Sequence, residues 1–389
     1  MSFQGFGLPD ELRMLADTVG EFVRQEIWPV EARIPGYERG LAAEDIAMLQ
    51  KKARAAGFWC LDTPEEFGGG GLSVFESVVV IEQMVKHRYS IPRPGAGAFG
   101  LEPPLALYHG TPEQIQRYVL PTIEHGWSAF IAISEPTGGS DPARAIRTTA
   151  TREGDTYRLN GHKMWASGAD HARYGVVYAR TDRSGGRSGI SAFVVDADTP
   201  GLHVEQIPVI RDHWTTELTL DDVIVPAENL IGEEGRGFAL AQQFFVRGRL
   251  RYAAQALGVA EEAVRMAIDW ARSRETFGAL LATRQAVQFA LADARVQINA
   301  ARHLTWDAAW DDDHGTDARV KASAAKLYAT EVGFKVVDSM MQILGGMGMT
   351  SDLALEHWFR GLRVSRVVEG PSEIQRFLIA REMLGEAAL

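Results

Sequence analysis

A glutamate near the end of the chain has neighbours that suit it to proton transfer. Glu369 lies in the run Val367-Val368-Glu369-Gly370-Pro371, and the two valines are consistent with burial. Burial raises the pKa of a carboxyl group toward neutrality, where it can act as a base on a proton held by carbon. The residues alone also allow a second interpretation, because a charged loop residue is usually just solvated.

Two other segments have residue types that suit a phosphate-bearing ligand. The run Ala132–Asp141 ends a predicted strand in a glycine-containing loop, whose N–H groups and hydroxyls could meet phosphates and ring edges. Arg274 carries a guanidinium that forks onto phosphate oxygens and stays charged. Without further information, the first segment is equally an ordinary turn and Arg274 a solvated cation at a helix end.

Motifs for several other chemistries are missing from the sequence. No His is followed by Glu and no Gly by Lys, which argues against a zincin helix and a P-loop. The ten His residues show no ligand spacing, and the single Cys60 cannot form a disulfide or a multi-thiolate zinc site. Gly346-Met347-Gly348 lacks the third glycine of a dinucleotide fingerprint and follows a helical pattern. We therefore expect no metal and no Rossmann site.

Composition limits the partners and the compartment. The 389 residues are 46% apolar, enough for two or three folded units with cores. Lys and Arg number 40 against 51 Asp and Glu, a net charge of −11 that disfavours nucleic acid and anionic lipid. No run approaches the roughly 20 apolar residues of a membrane span, and Met1 to Pro9 does not resemble a signal peptide. We expect no nucleic acid partner, no membrane span and a cytoplasmic location.

The chain divides into three predicted domains. Residues 1–126 show helical periodicity, with a first helix that Pro29 interrupts and a capped helix start at Thr111-Pro112-Glu113-Gln114. Residues 127–235 contain short β-rich runs, and Asn160-Gly161 predicts a two-residue hairpin turn. Residues 236–389 contain long Ala-rich helical stretches at 238–273, 281–311 and 317–343, which predict an antiparallel bundle.

Together these segments closely resemble the FAD-dependent acyl-CoA dehydrogenase family. The resemblance rests on Ala132–Asp141, on Leu159–Ser167 with its Trp165, on Val223–Gly232, on Arg274-Glu275-Thr276-Phe277-Gly278, on Gln342–Gly346 and on Val367–Arg376. It implies an α+β multidomain fold: an N-terminal helical domain, a middle antiparallel β domain and a C-terminal four-helix-bundle-like domain.

The resemblance also implies an activity and its site. Glu369 falls on the position of the base that removes the α-proton of an acyl-CoA thioester, while the β-hydrogen leaves as hydride to flavin N5 and yields a trans-2-enoyl-CoA. Substrate contacts fall on Ser140, Arg249 and Gly370. FAD contacts fall on Ile131, Ile133, Ser134, Gly139, Ser140, Trp165, Ser167, Arg274, Phe277, Gln285, Gln342, Gly346, Pro371 and Ser372.

The resemblance further implies partners. Arg274, Gln285 and Gln342 match residues that serve the FAD of a neighbouring subunit, which predicts a homotetramer. The expected electron acceptor is an electron-transferring flavoprotein.

Some positions depart from the family pattern and keep other functions open. Gly248 stands where some relatives carry the base, which leaves Glu369 unopposed. Val368, Pro371, His213 and Val246 replace common residues near the acyl, flavin and CoA sites. Glu102 falls near the acyl-tail region, and we expect it to face water or cap a helix; the alternative is that it favours a polar or cationic acyl group. The alternative functions are a flavin oxidase or monooxygenase on a non-CoA substrate, and a non-catalytic partner subunit.

Overall fold

Helices occupy both ends of the chain in the computed structural model, which describes residues 7–36, 38–183, 186–211 and 214–385. None of the helices in these ranges is long and apolar enough to cross a membrane. The helices are α1 Asp10–Phe22, α2 Trp28–Glu31, α3 Ala43–Ala55, α4 Val74–Met84, α5 Pro112–Gln114, α6 Leu120–His125, α7 Pro142–Ala145, α8 Gly237–Ser273, α9 Gln285–Asp313, α10 Arg319–Leu344, α11 Ala354–Ser365 and α12 Ser372–Leu384.

The first helix continues past the proline that the sequence predicts as its end. Between α1 and α2 the backbone forms a π-helical turn, Val23–Ile27, and Pro29 sits in the first turn of α2. Proline has no N–H to give to the preceding turn, and the wider π turn shifts the hydrogen-bond register at that point. The helix start at Thr111 is confirmed, since its hydroxyl and the Gln114 side chain form a reciprocal capping box.

The middle of the chain forms one mostly antiparallel sheet. Its strand order is β6-β7-β3-β2-β4-β5-β8, and β1 pairs in parallel with β4 at one side of this path. A separate two-stranded ribbon, β9 with β10, follows α8. The strands are β1 Ala129–Ala132, β2 Thr149–Glu153, β3 Thr156–Ser167, β4 Tyr174–Arg180, β5 Ile190–Asp196, β6 Leu202–Ile207, β7 Thr215–Pro226, β8 Leu230–Ile231, β9 Glu275–Thr276 and β10 Ala279–Leu280.

The predicted hairpin at Asn160-Gly161 is wrong. Strand β3 runs straight through these residues, and the turn lies earlier, at Gly154-Asp155 between β2 and β3. Gly161 marks a bulge in the pairing of β3 with β7, and a Cβ there would meet Thr148 at 2.4 Å. The same residue types serve a bulge and a tight turn because both need unusual backbone angles and close backbone approach.

The long helices predicted for the last third are confirmed as α8, α9 and α10. They bury Ala-rich faces against one another, and the apolar faces of α1 and α4 pack into the same core. Two further apolar cores include side chains from the strands of the sheet. Helices from both ends of the chain thus share one core.

Close packing of α8 on α4 makes Gly258 a sensitive position. A Cβ added to Gly258 would lie 2.3 Å from the Glu82 carbonyl oxygen and 2.4 Å from a Val85 methyl group. We expect Gly258→Ala to lower the free energy of unfolding by about 1–3 kcal/mol, the usual cost of overpacking. Urea unfolding followed by circular dichroism measures this. Gly40→Ala, with no atom within 4 Å of its Cβ, should be close to neutral; equal effects of the two changes would contradict the steric explanation.

Candidate active site

A large cleft opens where the sheet, the N-terminal loops and helix α8 meet. Its volume is about 2180 Å³, more than twice that of the ligand pockets of about 300–1,000 Å³ found in most proteins. One wall comes from β1 and the loop after it, the second from α8, and the third from the segment between α11 and α12. The cleft therefore has room for two large organic molecules side by side.

Glu369 lies at the wall of this cleft in a constrained backbone conformation. Its φ is +53°, and Gly370 follows with a φ of +87°. A left-handed conformation in a residue other than glycine costs about 1–3 kcal/mol and is held in place by surrounding contacts. Here the buried Gln375 amide donates to the carbonyl oxygens of Glu369 (3.0 Å) and Gly370 (2.7 Å), and Lys326 Nζ donates to the latter at 2.8 Å.

The Glu369 carboxyl is poorly solvated. Its Oε2 is closed off from solvent and has no hydrogen-bond partner among the residues described. Burial raises the pKa of Glu369 to about 7, and the charges of Arg249 and Lys326 lower it only in part. Burial also lowers the pKa of Lys326 to about 8, although the charge of Glu369 acts to raise it. A carboxyl group with a pKa near 7 is suited to accept a proton at neutral pH.

Gly248 on α8 makes room for this carboxyl. A Cβ built on Gly248 would lie 3.1 Å from both Cδ and Oε2 of Glu369. The next residue, Arg249, is buried and donates from Nη1 to Ser323 Oγ at 3.3 Å. Helix α8 therefore fixes one face of the site, and the absence of a side chain at Gly248 lets Glu369 pack against it.

Gly248→Ala should displace the Glu369 carboxyl group without removing it. The new methyl group would force the Glu369 carboxyl to move by a few tenths of an ångström, and small misplacements of a reacting group are costly. We expect turnover to fall by about one order of magnitude while the melting temperature changes little. Steady-state kinetics of the purified protein measures the loss, and unaltered turnover would show that the carboxyl can shift freely.

A further part of the cleft lining comes from Trp165 and Ser167 on β3. Trp165 has a φ of +68° beside a bulge in the pairing with β7, and the residue is 54% exposed. The Ser167 hydroxyl accepts a hydrogen bond from Arg211 Nη2 at 2.9 Å. A strained residue that holds a large aromatic ring in a cleft points to a ligand-binding role.

A buried ion pair closes the loop beside this wall. Lys163 Nζ lies 2.8 Å from Glu135 Oε1 and also donates to the Ile133 carbonyl oxygen at 3.1 Å. The same carboxylate accepts from the backbone N–H groups of Arg147 and Thr148 and from the Thr148 hydroxyl. Burial alone would raise the pKa of Glu135, but Lys163 and the hydrogen bonds outweigh burial and lower it. The pair ties together the two ends of the loop that contains Gly139 and Ser140.

The residues of the cleft fit the flavin that the resemblance implies. Apolar side chains and the Trp165 ring would cover a flat ring system, and the Ser134, Ser140 and Ser167 side chains line the same cavity. Gly139 keeps the loop open, since only Ser134 Oγ comes within 4 Å of a Cβ built there, at 3.9 Å. No cluster of His, Cys, Asp or Glu that could hold a metal ion occurs within the described ranges.

The structure brings most of the sequence-predicted site residues to this one cleft. Those that line it are Ile131, Ile133, Ser134, Gly139, Ser140, Trp165, Ser167, Arg249, Glu369, Gly370 and Pro371. Ser372 is buried just behind them, at the start of α12, and its hydroxyl has no hydrogen-bond partner within the described part of the chain. His213, singled out above, lies outside the described residues.

A second group of predicted residues lies elsewhere, on exposed surface. Phe277 is fully exposed with a φ of +49°, in the ribbon after α8. Arg274, Gln285, Gln342 and Gly346 are also exposed, and none of the five lines the cleft. If they serve a flavin, it is one held by another copy of the chain.

Sequence reasoning missed the residues that hold the Glu369 loop and misjudged one acid. Lys326 is buried on α10 among alanines, and a lone lysine on the apolar face of a helical pattern could have drawn attention to it. Gln375 lies in the Val367–Arg376 segment that carries the resemblance, but nothing in the sequence indicates that it holds the Glu369 loop. Glu102, expected to face water or cap a helix, lines the cleft instead and accepts a hydrogen bond from Arg251 at 3.3 Å, while the following helical turn has no side-chain cap.

Comparison with known proteins identifies the family. Three family models match the chain. The one described as "Acyl-CoA dehydrogenase, N-terminal domain" matches residues 9–125, the one for the middle domain matches residues 130–223, and the one for the C-terminal domain matches residues 235–384. The human short-chain specific acyl-CoA dehydrogenase, a mitochondrial protein, is 37% identical over 387 residues, which cover 98% of this chain and 92% of the human one.

Two more relatives extend this similarity. The cyclohexane-1-carbonyl-CoA dehydrogenase of Geobacter metallireducens is 36% identical, with 98% of this chain and 100% of the relative covered. The structure of butyryl-CoA dehydrogenase from Megasphaera elsdenii superposes with a TM-score of 0.86 at 30% identity, over 98% of this chain and 100% of that one. Matches of this identity along nearly the whole length show common descent as well as a common fold. The chain is therefore an oxidoreductase that belongs to the acyl-CoA dehydrogenase family.

Proposed function

We propose that this protein catalyses the FAD-dependent α,β-dehydrogenation of an acyl-CoA thioester to the trans-2-enoyl-CoA, with Glu369 as the base. The observation that carries the proposal is a carboxyl group with a pKa of about 7, one of whose oxygens has no hydrogen-bond partner among the described residues, in a cleft that Trp165 also lines. A thioester bound in this cleft would present its α-carbon to Glu369.

Each step of the proposed reaction assigned to this chain uses a group at the cleft. Glu369 removes the α-proton, and the electron pair left on carbon spreads onto the thioester oxygen. The Glu369 backbone N–H would donate to that oxygen and stabilise its developing charge. Arg249, close enough to Glu369 to lower its pKa, would help to hold the base ionised and contact the CoA moiety.

FAD would be held by Trp165, Ser167, Ser134, the loop at Gly139 and Ser140, and Pro371, with Ser372 buried behind them. When bound, it supplies a two-electron acceptor for the β-hydrogen and its electron pair.

The purified protein provides the test. We expect a yellow flavin spectrum that bleaches under anaerobic conditions when butyryl-CoA or another member of a thioester panel is added, with the enoyl-CoA as product. A protein without flavin, or one whose flavin no thioester bleaches, would contradict the proposal. Oxygen consumption faster than electron transfer to an artificial acceptor would instead indicate a flavin oxidase.

We further infer that the protein acts as a homotetramer and passes electrons to an electron-transferring flavoprotein in the cytoplasm. The oligomer is supported by Arg274, Phe277, Gln285, Gln342 and Gly346, which match flavin-contacting positions but lie on exposed surface away from the chain's own cleft. The compartment is supported by the single Cys60, which is free and buried. Sedimentation of the flavin-loaded protein tests the assembly; a monomer that keeps its flavin would contradict it.

A further inference from the structure

Three charged side chains from three separate segments meet in the wall of the cleft. Asp62 follows α3, Glu102 lies in the loop before α5, and Arg251 lies on α8. Arg251 Nη1 lies 3.3 Å from Glu102 Oε2, and the Asp62 carboxyl group is close enough to Glu102 to raise its pKa. All three line the cleft, and the Arg251 and Glu102 side chains are 40% and 31% exposed to it.

The position of this triad relative to the proposed base follows from helix α8. Gly248, against which the Glu369 carboxyl packs, precedes Arg251 by three residues, so the two lie on neighbouring turns about 4.5 Å apart along the axis. Tyr252, next to Arg251, is close enough to both Arg251 and Glu369 for the two charges to affect its pKa. On α8, the backbone of Arg251 thus lies about one helical turn from the glycine against which the Glu369 carboxyl packs.

The charges of the triad are not balanced when all three groups are ionised. Two carboxyl groups face one guanidinium, and burial together with the Asp62 charge raises the pKa of Glu102 to about 8 despite Arg251. The other polar groups near Glu102 are the thiol of Cys60 and the hydroxyl of Tyr108, whose pKa values are also raised. At neutral pH the carboxyl pair therefore keeps a proton, which a cation could replace.

We propose that the triad of Asp62, Glu102 and Arg251 binds the far end of the acyl group and selects substrates that end in a positively charged amine. An ammonium group can donate to both carboxylates and restore neutrality with Arg251. An apolar end would displace water from the charged groups without replacing its hydrogen bonds, which is costly. A carboxylate end would have to detach Arg251 from Glu102 and lie close to Asp62. The inference rests on the proposed function, because it assumes that an acyl thioester occupies the cleft.

Binding of unreactive analogues to the flavin-loaded protein tests this inference. S-(4-aminobutyl)-CoA and S-pentyl-CoA have the same shape and differ in the terminal group, and S-(4-carboxybutyl)-CoA carries the opposite charge. Titration calorimetry in two buffers of different ionisation enthalpy gives both the affinity and the protons released. We expect the amine to bind roughly ten- to a hundred-fold more tightly than S-pentyl-CoA, the range for charge-assisted hydrogen bonds. Protons should be released from the protein when the amine analogue binds, and not when either of the other two analogues binds.

Two variants complete the design. Glu102→Gln keeps the shape of the side chain and should abolish both the preference and the proton release. Glu124→Gln removes an exposed carboxylate that does not line the cleft and should retain both. Tighter binding of the pentyl or the carboxybutyl analogue by the wild type, or an unchanged preference in Glu102→Gln, would overturn the inference.

The same preparation separates this result from the proposed function. Bleaching of the flavin by butyryl-CoA, together with tighter binding of S-pentyl-CoA, would leave the dehydrogenase activity standing and remove only the amine selectivity. Absence of bleaching by every thioester would remove the activity itself, and the amine selectivity with it.

Discussion

Glu369→Gln is expected to keep the flavin and lose at least about 10³-fold in turnover, because the amide cannot accept the α-proton that Glu369 is proposed to remove. Gly248 offers no side chain, and Arg249 and Lys326 beside Glu369 are cations. The amide keeps the size of the carboxyl group, so the cleft should keep its shape. Anaerobic stopped-flow measurement of flavin bleaching reports this step directly.

The pH profile of the wild type gives an independent check on the same residue. Only the ionised carboxylate can accept the proton, and the pKa of Glu369 is about 7. The kcat/KM should therefore rise about tenfold per pH unit below pH 7 and level off above it. A profile that is flat between pH 5.5 and 8, a window of about one to two units around that value, would show that another group limits the reaction.

Stability measurements separate a catalytic loss from a folding defect. The pKa of Glu369 in the folded state lies above its ordinary 4.5, so its contribution to stability is present at low pH and is lost as the pH rises through about 7. At pH 8 the wild type holds a poorly solvated carboxylate that Gln lacks. The variant should melt at the same or a higher temperature there. Glu373→Gln, an exposed change four residues away, should match the wild type in every measurement.

Glu135→Gln is expected to lower the free energy of unfolding by about 3–5 kcal/mol, the usual result of breaking a buried ion pair. Lys163 is fully buried, and without the carboxylate its ammonium group has no charge partner at this position. The loop that carries Gly139 and Ser140 would also lose the anion that its ends share, so flavin affinity should fall. Urea unfolding and the flavin content after gel filtration measure the two effects.

The pH dependence and a surface pair serve as controls for this prediction. The lowered pKa of Glu135 means that its contribution is present above the ordinary carboxyl value of 4.5 and is lost as the pH falls below it. The difference in the free energy of unfolding between the variant and the wild type should therefore become smaller at acid pH. Glu153→Gln breaks a solvent-exposed pair with Arg158 and should leave the free energy of unfolding close to that of the wild type, because solvent screens such pairs. A similarly small loss at Glu135 would mean that Lys163 is accommodated without its partner.

Local patterns in the sequence predicted the helical ends and the sheet between them. Helical periodicity and alternation are properties of short segments, so α4, α8 and α10 and most strands could be located before any packing was known. The exceptions have local causes that depend on neighbours. Gly161 lies at a bulge where Thr148 approaches its backbone. A π turn precedes Pro29, so the packed helix continues through the proline.

The candidate base and flavin residues were found by resemblance, whereas their environment came only from the tertiary structure. The segment around Glu369 is recognisable from its letters, but its raised pKa depends on burial that α8, α10 and α12 create together. Lys326 and Gln375 act through contacts with residues 44 and 5 or 6 positions away. No local rule predicts such pairs.

The end of the cleft at Glu102 shows the same division. By its sequence, Glu102 is a loop acid expected to face water or to cap the next helix. The fold places it between Asp62, 40 residues before it, and Arg251, 149 residues after it. Residue types and short spacings determined which elements form and which family the chain resembles. The packing of distant segments decided which charged groups meet in the cleft. Electrostatic energies depend on distance and burial rather than on order along the chain.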